Sequence, residues 1–289
     1  MIYHLSSLRM GEDRRGLLRR ALTVAAGISA GAALTRIPDL VTSDRLPLGG
    51  GYAPAGVASG WSPRGGLNVR WHVPTEQPFV ALTFDDGPGP QWTPMVLDVL
   101  DRHRAPATFF VVGERLTRHE DLMRHRIGRH ELGNHTWAHR DLGKLDEAGV
   151  RDQLLRTHVA IRRVAGYPPT LMRPPWGHLG GSTLVIADEF EYDVVMWSHQ
   201  MREKRYAHNP PAQARDIVDN VQPGSIVLAH DIGARHRLVA LNQLDAILNG
   251  LHRRGLRPVT VSTLIAAAAA GRASIKDFRA DQGQMAAEK

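Results

Sequence analysis

The chain is organised around one stretch, Phe79-Val80-Ala81-Leu82-Thr83-Phe84-Asp85-Asp86-Gly87-Pro88. Its apolar beginning predicts a buried strand, and Gly87-Pro88 predicts that the strand ends there. The only Asp-Asp pair in the sequence, Asp85-Asp86, therefore stands at a strand end, a usual place for catalytic groups in α/β folds. Two neighbouring carboxylates compete for a proton unless a cation lies close by. The pair indicates either a metal and base site or a solvated acidic turn.

Strand and helix patterns alternate from this stretch to about residue 270. Pro94 to His103 predicts a helix with Thr93 as its N-cap and Pro94 at its first position. Further helices are predicted over 120–127, 146–164, 182–189, 210–221, 238–254 and 262–270, and further strands over 107–112, 131–135, 171–173, 193–197, 225–230 and 257–261. Six or seven β-α units with short connections favour an α/β fold built as a parallel barrel, complete or incomplete.

Composition fits one globular domain with tails: 289 residues, 43% hydrophobic and 22% charged. The absence of cysteine excludes disulfides and thiolate-zinc sites. The net charge of +7 comes mostly from arginine and favours acidic partners such as anionic cell-wall polymers or lipid headgroups. Nucleic acid is not expected as a partner, because no basic stripe is interleaved with aromatic residues.

The first 35 residues are expected to be an export signal. Arg14-Arg15-Gly16-Leu17-Leu18-Arg19 resembles the twin-arginine pattern, and the segment from Ala21 to Leu34 is too short and too rich in small residues for a comfortable membrane span. A basic amphipathic helix or an uncleaved anchor is the alternative. The expected organisation is a signal at 1–35, a Gly/Pro-rich linker at 36–66, a catalytic domain at 67–270 and a loose polar tail at 271–289, with no transmembrane domain after signal removal.

His135 and His139 are the only pair among fifteen histidines with i, i+4 spacing. On a helical turn this spacing would place both imidazoles on one face, within reach of one metal. Two histidines and a carboxylate form a common catalytic zinc set that leaves a position open for water. In a His-rich chain a surface pair explains the spacing equally well, and the strand-end carboxylates favour the metal.

Two further strand ends carry polar residues. Arg173 precedes the rigid turn Pro174-Pro175-Trp176 and could keep a carboxylate ionised. His230 ends the apolar strand that contains Leu228. Taken alone, Arg173 would be explained as a surface arginine beside a packing Trp, and His230 as a structural histidine. Their shared position at strand ends favours one common site.

In this order, Asp85-Asp86, the histidine pair, Arg173-Pro-Pro-Trp and Leu228-Ala-His resemble the motifs of the polysaccharide deacetylase family. This family has the NodB homology domain and is carbohydrate esterase family 4. The resemblance covers about residues 68–268. It implies a distorted (β/α) barrel of the seven-stranded, NodB-like type and metal-dependent removal of acetyl groups from sugars.

The resemblance implies a role for each matched residue. Asp86, His135 and His139 would bind a divalent metal, Zn²⁺ or alternatively Co²⁺ or Ni²⁺. Asp85 would be the general base, and Arg173 would hold it ionised. On the other side of the substrate, His230 would be the general acid, Leu228 would line the pocket for the acetate methyl, and the backbone N–H of Trp176 would stabilise the oxyanion.

One segment departs from the family pattern. After the strand ending at Trp197, the family usually has an acidic segment that closes with Asp-Trp, whereas this chain continues Ser198-His199-Gln200-Met201-Arg202-Glu203-Lys204. Gln200 or Glu203 would stand in for the Asp that tunes the acid histidine, and the aromatic pocket wall is missing.

The expected protein is therefore an exported, monomeric N-deacetylase acting on an N-acetylglucosamine polymer such as peptidoglycan or a chitin-type chain. An O-acetyl esterase acting on xylan is the alternative within the enzyme class. The altered fourth motif also leaves open a non-catalytic module that binds cell-wall glycan.

Overall fold

The computed structural model describes residues 66–271. The predicted export signal at 1–35 lies outside the described residues, as do almost all of the predicted linker at 36–66 and of the predicted tail at 271–289. Within the described range, no helix combines the length and the apolar character needed to cross a membrane.

The strands of the described range form one parallel sheet. They are β1 Val69–Arg70, β2 Phe79–Asp85, β3 Thr108–Val111, β4 Glu131–Asn134, β5 Leu171–Met172, β6 Asp193–Val195, β7 His199–Gln200, β8 Ile226–His230 and β9 Arg257–Val259. Their order is β1-β6-β5-β4-β3-β2-β8-β7, and β9 pairs with the beginning of β2. An isolated antiparallel β-bridge links His72, which follows the edge strand β1, to Ser225, which precedes β8. Since β8 lies beside the other edge strand, the bridge brings the two edges of the sheet together. The sheet therefore curls towards a barrel, in which β2 lies between β3 and β8.

Helices follow most strands, as βαβ units require. They are α1 Trp92–Arg102, α2 Gly113–Arg118, α3 Glu120–Arg124, α4 Glu147–Ala165, α5 Gly181–Glu189, α6 Pro210–Asn220, α7 Leu238–Asn242, α8 Leu244–Arg253 and α9 over 261–271. Short 3₁₀ turns lie at Leu142–Lys144, Pro175–Gly177 and Arg235–Arg237. The alternation of strand and helix agrees with the α/β fold predicted from the sequence.

The two faces of β2 have different surroundings because successive side chains of a strand point to opposite sides. The even-numbered residues from Val80 to Phe84 belong to the large apolar cluster that also contains Leu97 of α1. Ala81 belongs to a separate cluster with Phe110 of β3. The odd-numbered face of β2 thus points away from α1, and Asp85, its last member, opens at the carboxyl end of the sheet.

Two predictions about helices are wrong. Thr93 is not an N-cap, because α1 begins at Trp92 and the buried Thr93 hydroxyl instead accepts a hydrogen bond from the Gly89 N–H at 2.8 Å. The helix predicted over 238–254 is two helices, interrupted at Gln243. Both differences arise at helix boundaries, where the apolar period carries little information.

Candidate active site

The acidic pair splits into two environments where β2 ends. Asp85 is the last residue of the strand and is 4% exposed. Asp86 follows in the left-handed region, at φ 76°, a conformation that Asp tolerates better than most residues. Arg115 of α2 holds this turn, since its Nη1 donates to the Asp86 carbonyl oxygen at 2.6 Å. The backbone reversal therefore sends the two carboxylates to different partners.

The histidine pair does not lie on a helical turn, the geometry by which its spacing was interpreted. His135 directly follows β4, and residues 135–140 form a loop. Thr136 at φ 68° and His139 at φ 53° both take left-handed conformations, and the two imidazole centroids come within 5.1 Å of each other. The Nδ1 of His135 lies 2.7 Å from the carbonyl oxygen of Arg173. That bond places the N–H on Nδ1 and leaves the Nε2 lone pair facing the acidic pair.

Asp86, His135 and His139 form a candidate metal site. Their ligand atoms all lie within 4.8 Å of one another. Asp86 Oδ1 is 3.4 Å from His135 Nε2 and 3.0 Å from His139 Nε2. This oxygen is buried and has no hydrogen-bond partner among residues 66–271, an arrangement that costs free energy unless another group binds it. One carboxylate and two imidazoles, one of them oriented by a carbonyl, fit a divalent cation.

The acidic and histidine side chains of this cluster shift one another's pKa values. Burial alone would raise the pKa of Asp86, but its contacts with His135 and His139 outweigh burial and hold that pKa well below its usual value. Burial likewise opposes protonation of His135, yet Asp85 and Asp86 raise its pKa. Asp86 is therefore an anionic ligand near neutral pH.

Arg173 fixes the other carboxylate. The arginine is fully buried, and its Nη1 donates to Asp85 Oδ1 at 2.7 Å and to Thr83 Oγ1 at 2.8 Å. Its Nε donates to the carbonyl of Val195 at 2.8 Å, and its Nη2 to that of Met196 at 2.9 Å. Burial lowers the pKa of Arg173, and Asp85 opposes this shift. Arg173 and Asp85 therefore form a buried ion pair in which Nε, Nη1 and Nη2 of the guanidinium all donate hydrogen bonds. These bonds fix the guanidinium, which in turn holds the Asp85 side chain in one position.

His230 lies opposite Asp85 and is oriented by Glu203. The two residues are register partners in β8 and β2. His230 Nδ1 lies 3.1 Å from Glu203 Oε1. Of the two candidates for this acidic partner, Glu203 makes the contact, whereas Gln200 is exposed and pairs in β7 with Leu228. The altered fourth motif therefore still supplies a carboxylate to His230.

The two remaining predicted residues lie along the same end of the sheet. Leu228 is buried in β8, two positions before His230 and so on the same strand face. Trp176 sits in the turn after β5 at φ 55°, with a 58% exposed side chain whose ring centroid is 4.5 Å from that of His139. The structure thus gathers the eight predicted site residues at the carboxyl end of the sheet.

Comparison with known proteins identifies the family. Residues 72–195 match the family described as polysaccharide deacetylase. A peptidoglycan-N-acetylglucosamine deacetylase of Bacillus cereus is 36% identical over 200 residues, which cover 68% of this chain and 92% of that relative. The chain belongs to the polysaccharide deacetylase family. It is therefore a hydrolase of carbohydrate esterase family 4, as its motifs implied.

Other members of the family agree in sequence and in fold. A chitooligosaccharide deacetylase of Rhizobium leguminosarum bv. phaseoli is 37% identical over 205 residues, covering 66% of this chain and 87% of the relative. The solved structure of the Bc1960 peptidoglycan N-acetylglucosamine deacetylase superposes with a TM-score of 0.65 at 32% identity, over 68% of this chain and 92% of that one. The predicted NodB-like barrel is confirmed as a curled half-barrel. Deacetylases of this family are metal-dependent.

Sequence reasoning missed a buried carboxylate behind the site. Asp231 is 1% exposed, and its Oδ2 accepts a hydrogen bond from Thr93 Oγ1 at 2.6 Å. Burial raises the pKa of Asp231 to about 7. The same carboxylate leaves no room for a side chain at Gly87, where a Cβ would lie 2.2 Å from Oδ2. Asp231 thus braces the turn that carries Asp86, and its position directly after His230 at an apolar strand end was the available signal.

Proposed function

We propose that this protein is a metal-dependent deacetylase that removes N-acetyl groups from an N-acetylglucosamine-containing glycan, such as peptidoglycan or a chitin-type chain. One observation carries the proposal. The metal-ligating atoms of Asp86, His135 and His139 converge beside a second carboxylate, Asp85, that is separately paired with Arg173. The named activities of the relatives, which act on peptidoglycan and chitooligosaccharides, support this substrate class.

Asp86 Oδ1, His135 Nε2 and His139 Nε2 would hold the divalent ion, Zn²⁺ in the first place and Co²⁺ or Ni²⁺ as alternatives. Such an ion, when bound, supplies Lewis acidity that polarises a carbonyl group and acidifies water. The residues around it supply orientation and proton transfer.

Asp85 is the proposed general base. Its Oδ1 is engaged by Arg173, and its Oδ2 lies 3.9 Å from His135 Nε2, on the side of the metal ligands. A water molecule beside Asp85 Oδ2 can therefore give its proton to Asp85 as its oxygen attacks the acetyl carbonyl carbon. The hydrogen bond from Arg173 Nη1 holds the carboxylate in place and prevents it from rotating away.

His230 is the proposed general acid on the opposite side. Glu203 engages Nδ1, which leaves Nε2 free to protonate the sugar nitrogen as the carbon–nitrogen bond breaks. The backbone N–H of Trp176 is proposed to stabilise the oxyanion, and Leu228 to contact the acetyl methyl group. Acetate and a free amine are the products.

Glu203→Gln is expected to lower kcat about 10- to 100-fold, at or below the lower limit of the roughly 10²- to 10⁴-fold that a positioned acid contributes. The amide can still lie beside His230 Nδ1 but no longer selects the tautomer and orientation that a carboxylate selects. KM should change little, because Glu203 contacts the histidine rather than the substrate site. The measurement is steady-state acetate release. The neighbouring exposed residue Lys204, changed to Gln, is the control; equal kcat values for both variants would contradict the role of Glu203.

The substrate is tested by incubating the Zn²⁺-loaded protein with peptidoglycan, chitooligosaccharides and acetylxylan. We expect acetate release with matching formation of free amine from the first two substrates. Acetate release from acetylxylan alone would show an O-acetyl esterase instead. Retention on insoluble peptidoglycan without acetate release would show a binding module, an alternative that the contact between Glu203 and His230 disfavours.

We further propose that residues 1–35 export the protein by the twin-arginine route, that a linker at 36–66 joins them to a catalytic domain at 67–270 followed by a tail at 271–289, and that the protein acts on the cell wall as a monomer. The names of the peptidoglycan-deacetylating relatives support the cell-wall location. Changing Arg14-Arg15 to Lys-Lys and following the protein by fractionation tests the route.

A further inference from the structure

The segment that follows β8 brings a cation to the proposed metal ligand. Arg237 lies in the 3₁₀ turn Arg235–Arg237, and its Nη1 is 2.6 Å from Asp86 Oδ2. This is the carboxylate oxygen other than the one that faces the two histidines. The Arg237 side chain is 25% exposed, so the ion pair is mostly shielded from water. None of the sequence motifs contains this residue.

The guanidinium is fixed in place from a second direction. Arg237 Nη1 also donates to the carbonyl oxygen of Ile232 at 2.8 Å. Gly233, which has a φ of 129°, packs against the same guanidinium. A Cβ at this position would lie 2.7 Å from Arg237 Nη1. The backbone of the segment is thus folded around the guanidinium, which distinguishes Arg237 from a surface arginine free to swing towards any nearby acid.

We propose that Arg237 is a positioning residue for the metal site, an inference that rests on the proposed function. A charge-assisted hydrogen bond to Oδ2 fixes the rotation of the Asp86 carboxylate and leaves Oδ1 to bind the ion as a single ligand atom. Arg115 donates a hydrogen bond to the backbone carbonyl of Asp86, so an arginine fixes both the backbone and the side chain of this residue. Partners of this kind, one step removed from the ion, orient the ligands and raise metal affinity.

A purely electrostatic role predicts the opposite result. If Arg237 only neutralised Asp86, its positive charge would repel an incoming cation, and removing that charge would strengthen metal binding. The sign of the change in metal affinity therefore separates positioning from neutralisation.

The experiment is a Zn²⁺ titration of the chelator-stripped full chain, by calorimetry with a competing chelator, for the wild type, Arg237→Gln, Arg237→Lys and Arg235→Gln. We expect Arg237→Gln to weaken Zn²⁺ binding about 10- to 100-fold. Arg237→Lys should recover part of the loss, because it keeps the charge but not the planar donor geometry. The exposed neighbour Arg235, changed to Gln, removes the same charge from the same turn and should bind like the wild type.

Unchanged or tighter Zn²⁺ binding by Arg237→Gln, with the wild type binding normally, would overturn this inference and leave the proposed function standing. Failure of the wild type itself to bind Zn²⁺, Co²⁺ or Ni²⁺ would overturn the metal site and the inference with it. Thermal unfolding of the stripped proteins provides the folding control, since a loss of affinity counts for the inference only where the unfolding temperature is preserved.

Discussion

Asp85→Asn is expected to reduce acetate release about 10²- to 10⁴-fold, the range that a positioned general base contributes. The amide has nearly the shape of the carboxylate and can still accept a hydrogen bond from Arg173, but it cannot take a proton from water. Metal binding should persist, because Asp85 contributes no atom to the proposed ligand set of Asp86, His135 and His139. Acetate release and Zn²⁺ content are measured on the same preparation.

The matched control is Asp98→Asn, which removes an exposed carboxylate from α1 that forms an ion pair with Arg126, away from the site. Its activity should equal that of the wild type. Wild-type activity in Asp85→Asn would contradict the assignment of the base. Loss of Zn²⁺ together with activity would show that Asp85 belongs to the metal site rather than beside it.

Arg173→Met is expected to destabilise the fold by about 3–5 kcal/mol, the usual cost of removing one partner of a buried ion pair. The substitution would leave Asp85 as an uncompensated charge that is 4% exposed. It would also remove the donors now used by Thr83 Oγ1 and by two backbone carbonyls. Urea-induced unfolding at neutral pH gives the change in the free energy of unfolding.

A double variant separates the unpaired charge from the lost packing. Arg173→Met combined with Asp85→Asn carries no uncompensated carboxylate, so it should be more stable than Arg173→Met alone. A loss below about 1 kcal/mol for Arg173→Met, the scale of an exposed ion pair, would show that the pair is not effectively buried. Greater instability of the double variant would contradict the charge argument.

The location of the site can be predicted from the sequence because the carboxyl ends of parallel strands lie along one edge of a sheet. Asp85, Arg173 and His230 each follow an apolar run that ends at a turn, and the carboxyl ends of parallel strands lie along one edge. No knowledge of the strand order is needed for that inference. The spacing of His135 and His139 adds the metal ligands, although the helical turn assumed for them is absent.

The local backbone of the histidine loop could not be predicted in the same way. Thr136 and His139 adopt positive φ angles, which are uncommon for residues other than glycine and especially unusual for the β-branched Thr136. Contacts with distant parts of the chain hold this loop, such as the hydrogen bond from the Gly113 N–H to the Thr136 carbonyl oxygen at 3.0 Å. Tertiary structure thus produced the same proximity of imidazoles that a helix would have given.

For three residues near the site, the sequence could not identify the contact partner, because each contact joins parts of the chain that are far apart in sequence. Arg237 meets Asp86 across 151 residues, and Thr93 meets Asp231 across 138. Glu203 was one of two candidates for the partner of His230, and only the placement of β7 beside β8 excludes Gln200. Contacts of this range depend on how loops fold over the sheet, which periodicity does not encode.

The central claim is that Asp86, His135 and His139 hold the ion on which deacetylation depends. The most direct measurement is acetate release from N-acetylglucosamine oligomers by the full chain after chelator treatment and again after addition of equimolar Zn²⁺. We predict that activity is lost on stripping, returns with Zn²⁺, and does not return in a His135→Ala/His139→Ala variant that remains folded. Stripped protein, or the double variant, that releases acetate as fast as the reloaded wild type would contradict the claim.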